Sequence, residues 1–290
     1  MRDPYFIKGP AVISFSGGRT SAYLLWKIME RGLQPDVHVM FANTGKEREE
    51  TLDFVDECAR RFDVPITWLE YRRRFLPKYK NPDRAAVAAR ARAGREHLYE
   101  PPKGRREPGY VVVSYETASR NGEPFDNLID MGGLPNRQLR TCTAELKIRV
   151  IKKHMLKLGY KRWDVVLGLR ADEPLRVARK REPPPERWEY VMPLADAGVT
   201  LEEVMNFWRE APFDLQLQPH EGNCDICFLK TVAKRARIAQ DRPDLLDWWV
   251  SAEARTGDHF SRNEPPYARL VRLPVLVDEP QNGIDCDCTD

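Results

Sequence analysis

The chain has 290 residues, 42% of them hydrophobic, and a net charge of only +3. That length holds one large α/β domain with an appendage, or two small domains, and the apolar fraction suffices for a buried core. No run of about 18 apolar residues occurs, which excludes a membrane-spanning helix. The opening Met1-Arg-Asp-Pro-Tyr5 has no apolar signal core, so a cytoplasmic protein is expected.

Ala11 to Phe15 reads as a strand and runs into Ser16-Gly17-Gly18. An amphipathic helix follows from Thr20 to Arg31, with Leu24, Leu25, Ile28 and Met29 on its apolar face and Gly32 as its stop. The paired glycines permit positive φ and close ligand approach. Amides of such a turn beside a helix N-terminus form an anion site. Ser14, Ser16, Thr20 and Ser21 add hydroxyls and Arg19 a guanidinium. The spacing is neither a Walker loop nor Gly-x-Gly-x-x-Gly.

Asp36 to Phe41 reads as a buried parallel strand, followed by a turn at Ala42-Asn43-Thr44-Gly45. A helix is predicted over Glu47–Phe62, with acidic residues in its first turn, and a third strand over Pro65–Glu70. This alternation predicts a doubly wound, mostly parallel α/β sheet. Ligands on such sheets sit at the C-terminal ends of the strands, where both glycine turns fall.

From Arg72 to about Arg140 the alternation stops, and the stretch reads as an insertion. It contains a helical Ala85–Glu96 and a strand over Val111–Tyr115. Arg72–Arg106 carries twelve Lys/Arg against three Asp/Glu, which reads either as a solvated face or as a footprint for DNA or tRNA. The α/β rhythm resumes with a helix over Ala144–Leu158, a strand over Trp163–Leu169, an exposed loop at Pro183–Pro185 and a capped helix from Thr200 to Trp208. A nucleotide-binding unit over 1–215 and a helical, cysteine-bearing region over 216–290 are expected.

Of six cysteines, Cys58 falls on an apolar helical face. Cys224 and Cys227 form a C-x-x-C pair, Cys142 stands 82 residues upstream, and Cys286 and Cys288 lie in the tail. The pair alone fits a redox couple, a zinc knuckle or half an iron–sulfur site.

Ser16-Gly-Gly-Arg-Thr-Ser21 resembles the PP-loop of ATP pyrophosphatases and of the phosphoadenosine phosphosulfate (PAPS) reductase family. Asn43-Thr44-Gly45, Gly168-Leu-Arg170 and Pro193-Leu194 leading to Trp208 match further elements of that family in order. The resemblance implies an adenine nucleotide (ATP, APS or PAPS) held by Ser14, Ser16, Gly17, Gly18, Arg19, Thr20, Ser21, Asn43, Thr44, Gly45, Gly168 and Arg170. Arg19, Lys46 and Arg170 would neutralise the transferring group.

Cys142, Cys224 and Cys227 resemble the ligand set of the cluster-bearing sulfonucleotide reductases, which implies a [4Fe–4S] cluster. Those enzymes have two adjacent cysteines where only Cys142 stands here. Cys286 or Cys288 supplies the missing ligand, serves as a nucleophile, or belongs to a disordered end. Thr20 replaces an Asp of the pyrophosphatases that is tied to Mg2+, leaving Asp172, Glu173 or Glu47 to substitute. The intact Gly17-Gly18 favours a β,γ-pyrophosphate nucleotide. The implied activity is adenylation coupled to sulfur transfer onto a nucleic acid, with a sulfur donor as partner. The alternatives are an APS/PAPS reductase served by a thioredoxin-like reductant and a non-catalytic nucleotide-binding module. Oligomeric state is not legible.

Overall fold

The computed structural model describes residues 3–72, 109–182, 186–218 and 220–274. Ala85–Glu96, Pro183–Pro185, Cys286, Cys288 and, apart from Arg72, the basic stretch Arg72–Arg106 lie outside the described residues.

The sheet strands are β1 (Ala11–Phe15), β2 (Val37–Asn43), β3 (Ile66–Tyr71), β4 (Tyr110–Val113), β5 (Trp163–Val166) and β6 (Trp188–Val191). Their spatial order is β4-β3-β2-β1-β5-β6. All pairings are parallel except β3 with β4. The expected doubly wound α/β sheet is therefore present. The chain builds outward from β1 through β2 and β3, then returns to add β5 and β6 on the other side. The strand order reverses between β1 and β5, and at such a reversal the connections leave a crevice beyond the strands' C-terminal ends.

Successive strand side chains face opposite sides, so the central strands feed two cores. Ala11, Ile13 and Phe15 pack under α1 (Arg19–Met29) and α2 (Glu49–Arg61). Val12, Met40 and Leu69 face the opposite core, which contains residues of α3 (Glu123–Gly132) and α4 (Arg149–Lys157). That core also takes in Cys142, Cys224, Cys227 and Phe228. The remaining α-helices among the described residues are α5 (Pro174–Arg181), the short α6 (Pro193–Asp196), α7 (Leu201–Glu210), α8 (Val232–Asp241) and α9 (Leu246–Thr256).

The expected insertion is narrower than its sequence suggests. Tyr110 of β4 and Phe125, Leu128 and Ile129 of α3 are buried in the core, so the segment from 109 onward is part of the body. The helix expected over Ala144–Leu158 begins earlier, as a π-helical turn over Cys142–Ile148, before becoming α4. β2 extends to Asn43, so Ala42 and Asn43 close the strand rather than open the turn expected over Ala42–Gly45. No helix among the described residues is long and apolar enough to cross a membrane.

Candidate nucleotide site

β1 ends at Phe15, and the chain turns into α1 through Ser16, Gly17 and Gly18. Gly17 has φ +78°, and a Cβ there would stand 2.8 Å from Thr51 Cγ2 and 3.0 Å from Val55 Cγ2 on α2. Glycine is thus required twice over, by backbone conformation and by space. At Gly18 a Cβ would meet Asn223 Nδ2 at 3.2 Å. The Asn223 amide donates to Ser16 O at 2.8 Å, which pins the loop from the far end of the chain.

Ser21 ties the turn together. Its hydroxyl accepts from Ser16 Oγ at 3.0 Å and from the Gly18 N–H at 3.2 Å, and donates to Gly18 O at 2.9 Å. The first turn of α1 has backbone N–H groups without intrahelical acceptors, and the helix dipole adds positive potential there. Arg170 stands at the same end. Its guanidinium donates from Nη1 to Thr20 Oγ1 at 3.1 Å and from Nε to Asp172 Oδ1 at 2.9 Å. Gly168, just after β5, lets Ser21 come close, since a Cβ there would lie 3.3 Å from Ser21 Cα. Amides, hydroxyls and one arginine therefore meet at the strand-order reversal.

Several expected contributors are engaged elsewhere. Arg19 forms a two-pronged pair with Asp214, Nε to Oδ1 and Nη2 to Oδ2 both at 2.7 Å, so it braces the segment after α7. Lys46 is buried and its Nζ lies 2.8 Å from Asp225 Oδ2. Asn43 donates to Glu70 Oε1 at 2.6 Å and to Ser119 O at 2.8 Å, and accepts from the Gly45 N–H at 3.0 Å. Thr44 donates to Glu47 Oε2 from both its N–H and its hydroxyl at 2.8 Å. The turn after β2 thus spends its polar groups on the protein. Ser14 lines a small pocket with Ile151, Trp163 and Val165. Asn223 and Asp214 were not foreseen. Their one sequence signal is position, Asn223 immediately before Cys224 and Asp214 a few residues after Trp208.

Iron–sulfur ligation requires thiolates converging on one point. Cys142 opens the π-helical turn, and Cys224 and Cys227 lie in the loop before α8, all buried in one apolar core. Among the described residues, no group of three or more His, Cys, Asp or Glu side chains is placed to hold a metal ion. Burial pushes the Cys142 thiol up, against thiolate formation, and Cys224 Sγ lies 3.7 Å from the carboxylate oxygen Oε1 of Glu47. The carboxylates expected to substitute at Mg2+ all accept hydrogen bonds from the protein. Asp172 accepts from Arg170 and from the Leu201 N–H, Glu173 from the Arg170 N–H and from Arg176, and Glu47 from Thr44.

A phosphoadenosine phosphosulfate reductase domain model matches residues 10–85. Over 274 residues the chain is 32% identical to the uncharacterized nin region protein ORF290 of Escherichia phage lambda, covering 92% of this chain and 82% of that protein. The chain belongs to the PAPS reductase-like family of PP-loop proteins. Among solved structures, the phosphate complex of a PAPS reductase from Candida auris is similar at 14% identity and TM-score 0.39, covering 73% of this chain and 82% of that one. The family's domain match spans the loop after β1 and the turn after β2, but ends before Arg170.

Proposed function

We propose that this PAPS reductase-like protein binds ATP with its phosphates over Ser16–Ser21 and Arg170, and uses it to adenylate an oxygen of a nucleic acid for replacement by sulfur. The observation that carries the reading is the glycine pair at the strand-order reversal. Gly17 and Gly18 are held bare by Thr51, Val55 and Asn223, and Arg170 stands beside the same helix N-terminus. An acceptor oxygen attacks the α-phosphorus, the bond to the β-phosphate oxygen breaks, and pyrophosphate leaves. Arg170 and the loop amides offset the charge on the transferring group. A sulfur nucleophile then displaces AMP. Arg72–Arg106 is the proposed nucleic-acid contact, through its phosphates. The proposed sulfur source is an external sulfide donor, whose sulfur forms the new carbon–sulfur bond as the carbon–oxygen bond to AMP breaks.

The test is pyrophosphate release from ATP with a sulfide donor, in the presence and absence of tRNA and of DNA. Release stimulated by one nucleic acid is the expected result. An absence of ATP turnover with both would overturn the reading. The domain match favours one second reading, in which a tail thiolate attacks the sulfur of APS or PAPS and a thioredoxin-like dithiol then releases sulfite. Sulfite release that disappears in a Cys286→Ser/Cys288→Ser double variant would support it over adenylation.

A further inference from the structure

The C-terminal cysteine loop reaches the PP-loop through Asn223, the residue before Cys224. Its backbone is fixed on both sides. Asn223 O accepts from the Arg48 N–H at 2.8 Å and from Thr51 Oγ1 at 3.4 Å. Cys224 bridges to Glu47, and the Asp225 N–H donates to Lys46 O at 2.9 Å. Three successive residues of the loop are thus laced, antiparallel, to the three that lead into α2. A side chain mounted on such a backbone is in place before a ligand arrives, which lowers the ordering cost of binding.

Gly18 shows what that side chain demands of the PP-loop. Gly17 is glycine for its positive φ, but Gly18 has φ −99° and ψ 162°, extended values open to any residue. Its constraint is space. The three nearest atoms to a Cβ at Gly18 are Asn223 Nδ2, Oδ1 and Cγ, at 3.2, 3.4 and 3.7 Å. The second glycine of the motif therefore makes room for one carboxamide from the other end of the chain. A carboxamide has two N–H donors and a carbonyl acceptor. One N–H of Asn223 goes to Ser16 O at 2.8 Å. Among the described residues, the second N–H and Oδ1 have no partner. Asn223 is partly exposed, and its unpaired Oδ1 is not sealed from solvent. An open donor thus stands at the N-cap of α1, beside the amides of that helix's first turn.

We infer that Asn223 contacts the phosphate chain of the nucleotide through the N–H that Ser16 leaves free, so that the cysteine loop completes the nucleotide site. The inference rests on the reading that ATP phosphates lie over Ser16–Ser21. It adds a contact from far beyond the matched domain at residues 10–85. An amide N–H on a phosphate oxygen makes a charge-assisted hydrogen bond, and a neutral carboxamide makes it without the repulsion that a carboxylate of the same shape would bring.

The test uses the full-length protein with ATP and adenosine as probes. Asparagine side chains are labelled with ¹⁵N, and the two Asn223 N–H signals are assigned by their loss in Asn223→Ala. The N–H not held by Ser16 is expected to move downfield with ATP and to stay with adenosine. A residue that only braces the loop leaves that signal in place, which would overturn the inference. Calorimetry supplies the second readout, on variants whose circular dichroism and melting points match wild type. Asn223→Ala is expected to weaken ATP about tenfold, the worth of one charge-assisted hydrogen bond, and to leave adenosine unchanged. Asn223→Asp is expected to weaken ATP at least about a hundredfold, through repulsion between its carboxylate and the phosphates. Gly18→Ala retains Asn223 and reads the same contact independently. Its Cβ displaces the carboxamide, so it is expected to match Asn223→Ala, and to add nothing when the two are combined. Fully additive losses, or an equal loss of ATP and adenosine, would overturn the inference and leave the ATP reading standing. A wild type that binds ATP no more tightly than adenosine would overturn the ATP reading, and the Asn223 contact with it.

Discussion

The loop after β1 and the turn after β2 both sit at C-terminal strand ends, and both have glycine at positive φ, yet they do different work. In the first, Ser21 bonds the loop to itself, and the helix N-terminus faces Arg170. In the second, Asn43, Thr44, Lys46 and Glu47 are all buried and bonded to protein. Lys46 O also accepts from the Asp225 N–H at 2.9 Å, and Glu47 bridges to Cys224. The turn is a clamp that holds the C-x-x-C loop under the sheet, and that loop's Asn223 in turn pins the PP-loop. Two similar-looking glycine turns thus divide into one bonded to itself beside Arg170, the proposed ligand site, and one bonded to the rest of the protein.

The sharpest way to break this division is Asp225→Ala. It leaves the Lys46 ammonium buried without its carboxylate and removes the acceptor of the Trp249 Nε1–H at 2.7 Å. Loss of one partner of a buried pair costs about 3–5 kcal/mol. Urea unfolding is expected to show that loss, while nucleotide affinity per folded molecule changes little. An affinity loss without a stability loss would place Lys46 in the ligand site instead.

Gly17→Ala tests the other half. A left-handed conformation costs a non-glycine residue about 1–2 kcal/mol, and the added Cβ presses on Thr51. Stability is expected to fall by about that much. ATP affinity measured by calorimetry is expected to fall at least about tenfold, because the amides are displaced. A stable variant with unchanged affinity would remove the loop from the binding site.

The smallest effect is a pH dependence behind the turn. Burial holds the Glu70 carboxyl above the usual carboxylate range, and the nearby Glu123 and Glu47 add to the rise, against hydrogen bonds from Ser119 and Asn43. A carboxyl with a raised folded-state pKa keeps its proton longer in the folded protein than in the unfolded chain. Its contribution is fully present below the unfolded pKa and is lost as pH rises through the folded one. Wild-type stability therefore carries a declining component from about pH 4 upward. Glu70→Gln is expected to flatten that component in urea midpoints measured across pH. An unchanged slope would assign the pH dependence to other groups.

Much of the fold was legible in local pattern. The strands β1, β2 and β3 and the helices between them fall within a few residues of their expected bounds, because apolar strand runs and amphipathic helix faces are written in consecutive residues. α3 and β6 were not foreseen. Glu123–Gly132 opens with Pro at its first turn inside a stretch that reads as an insertion, and Trp188–Val191 is a four-residue edge strand with little pattern to detect. The site divides in the same way. The Ser16–Ser21 loop is a contiguous motif and could be read. The partners of its arginine and of the neighbouring lysine could not, since Arg19 meets Asp214 across 195 residues of chain.

The amino-acid sequence alone thus determined the family, the parallel α/β core and the bare-backbone loop, each encoded by residues close together in the chain. Tertiary structure alone decided that Arg19, Lys46 and Arg170 each meet a carboxylate, and where the cysteines lie. Those outcomes depend on distances between segments far apart in sequence, and charge pairing and burial act through space rather than along the chain.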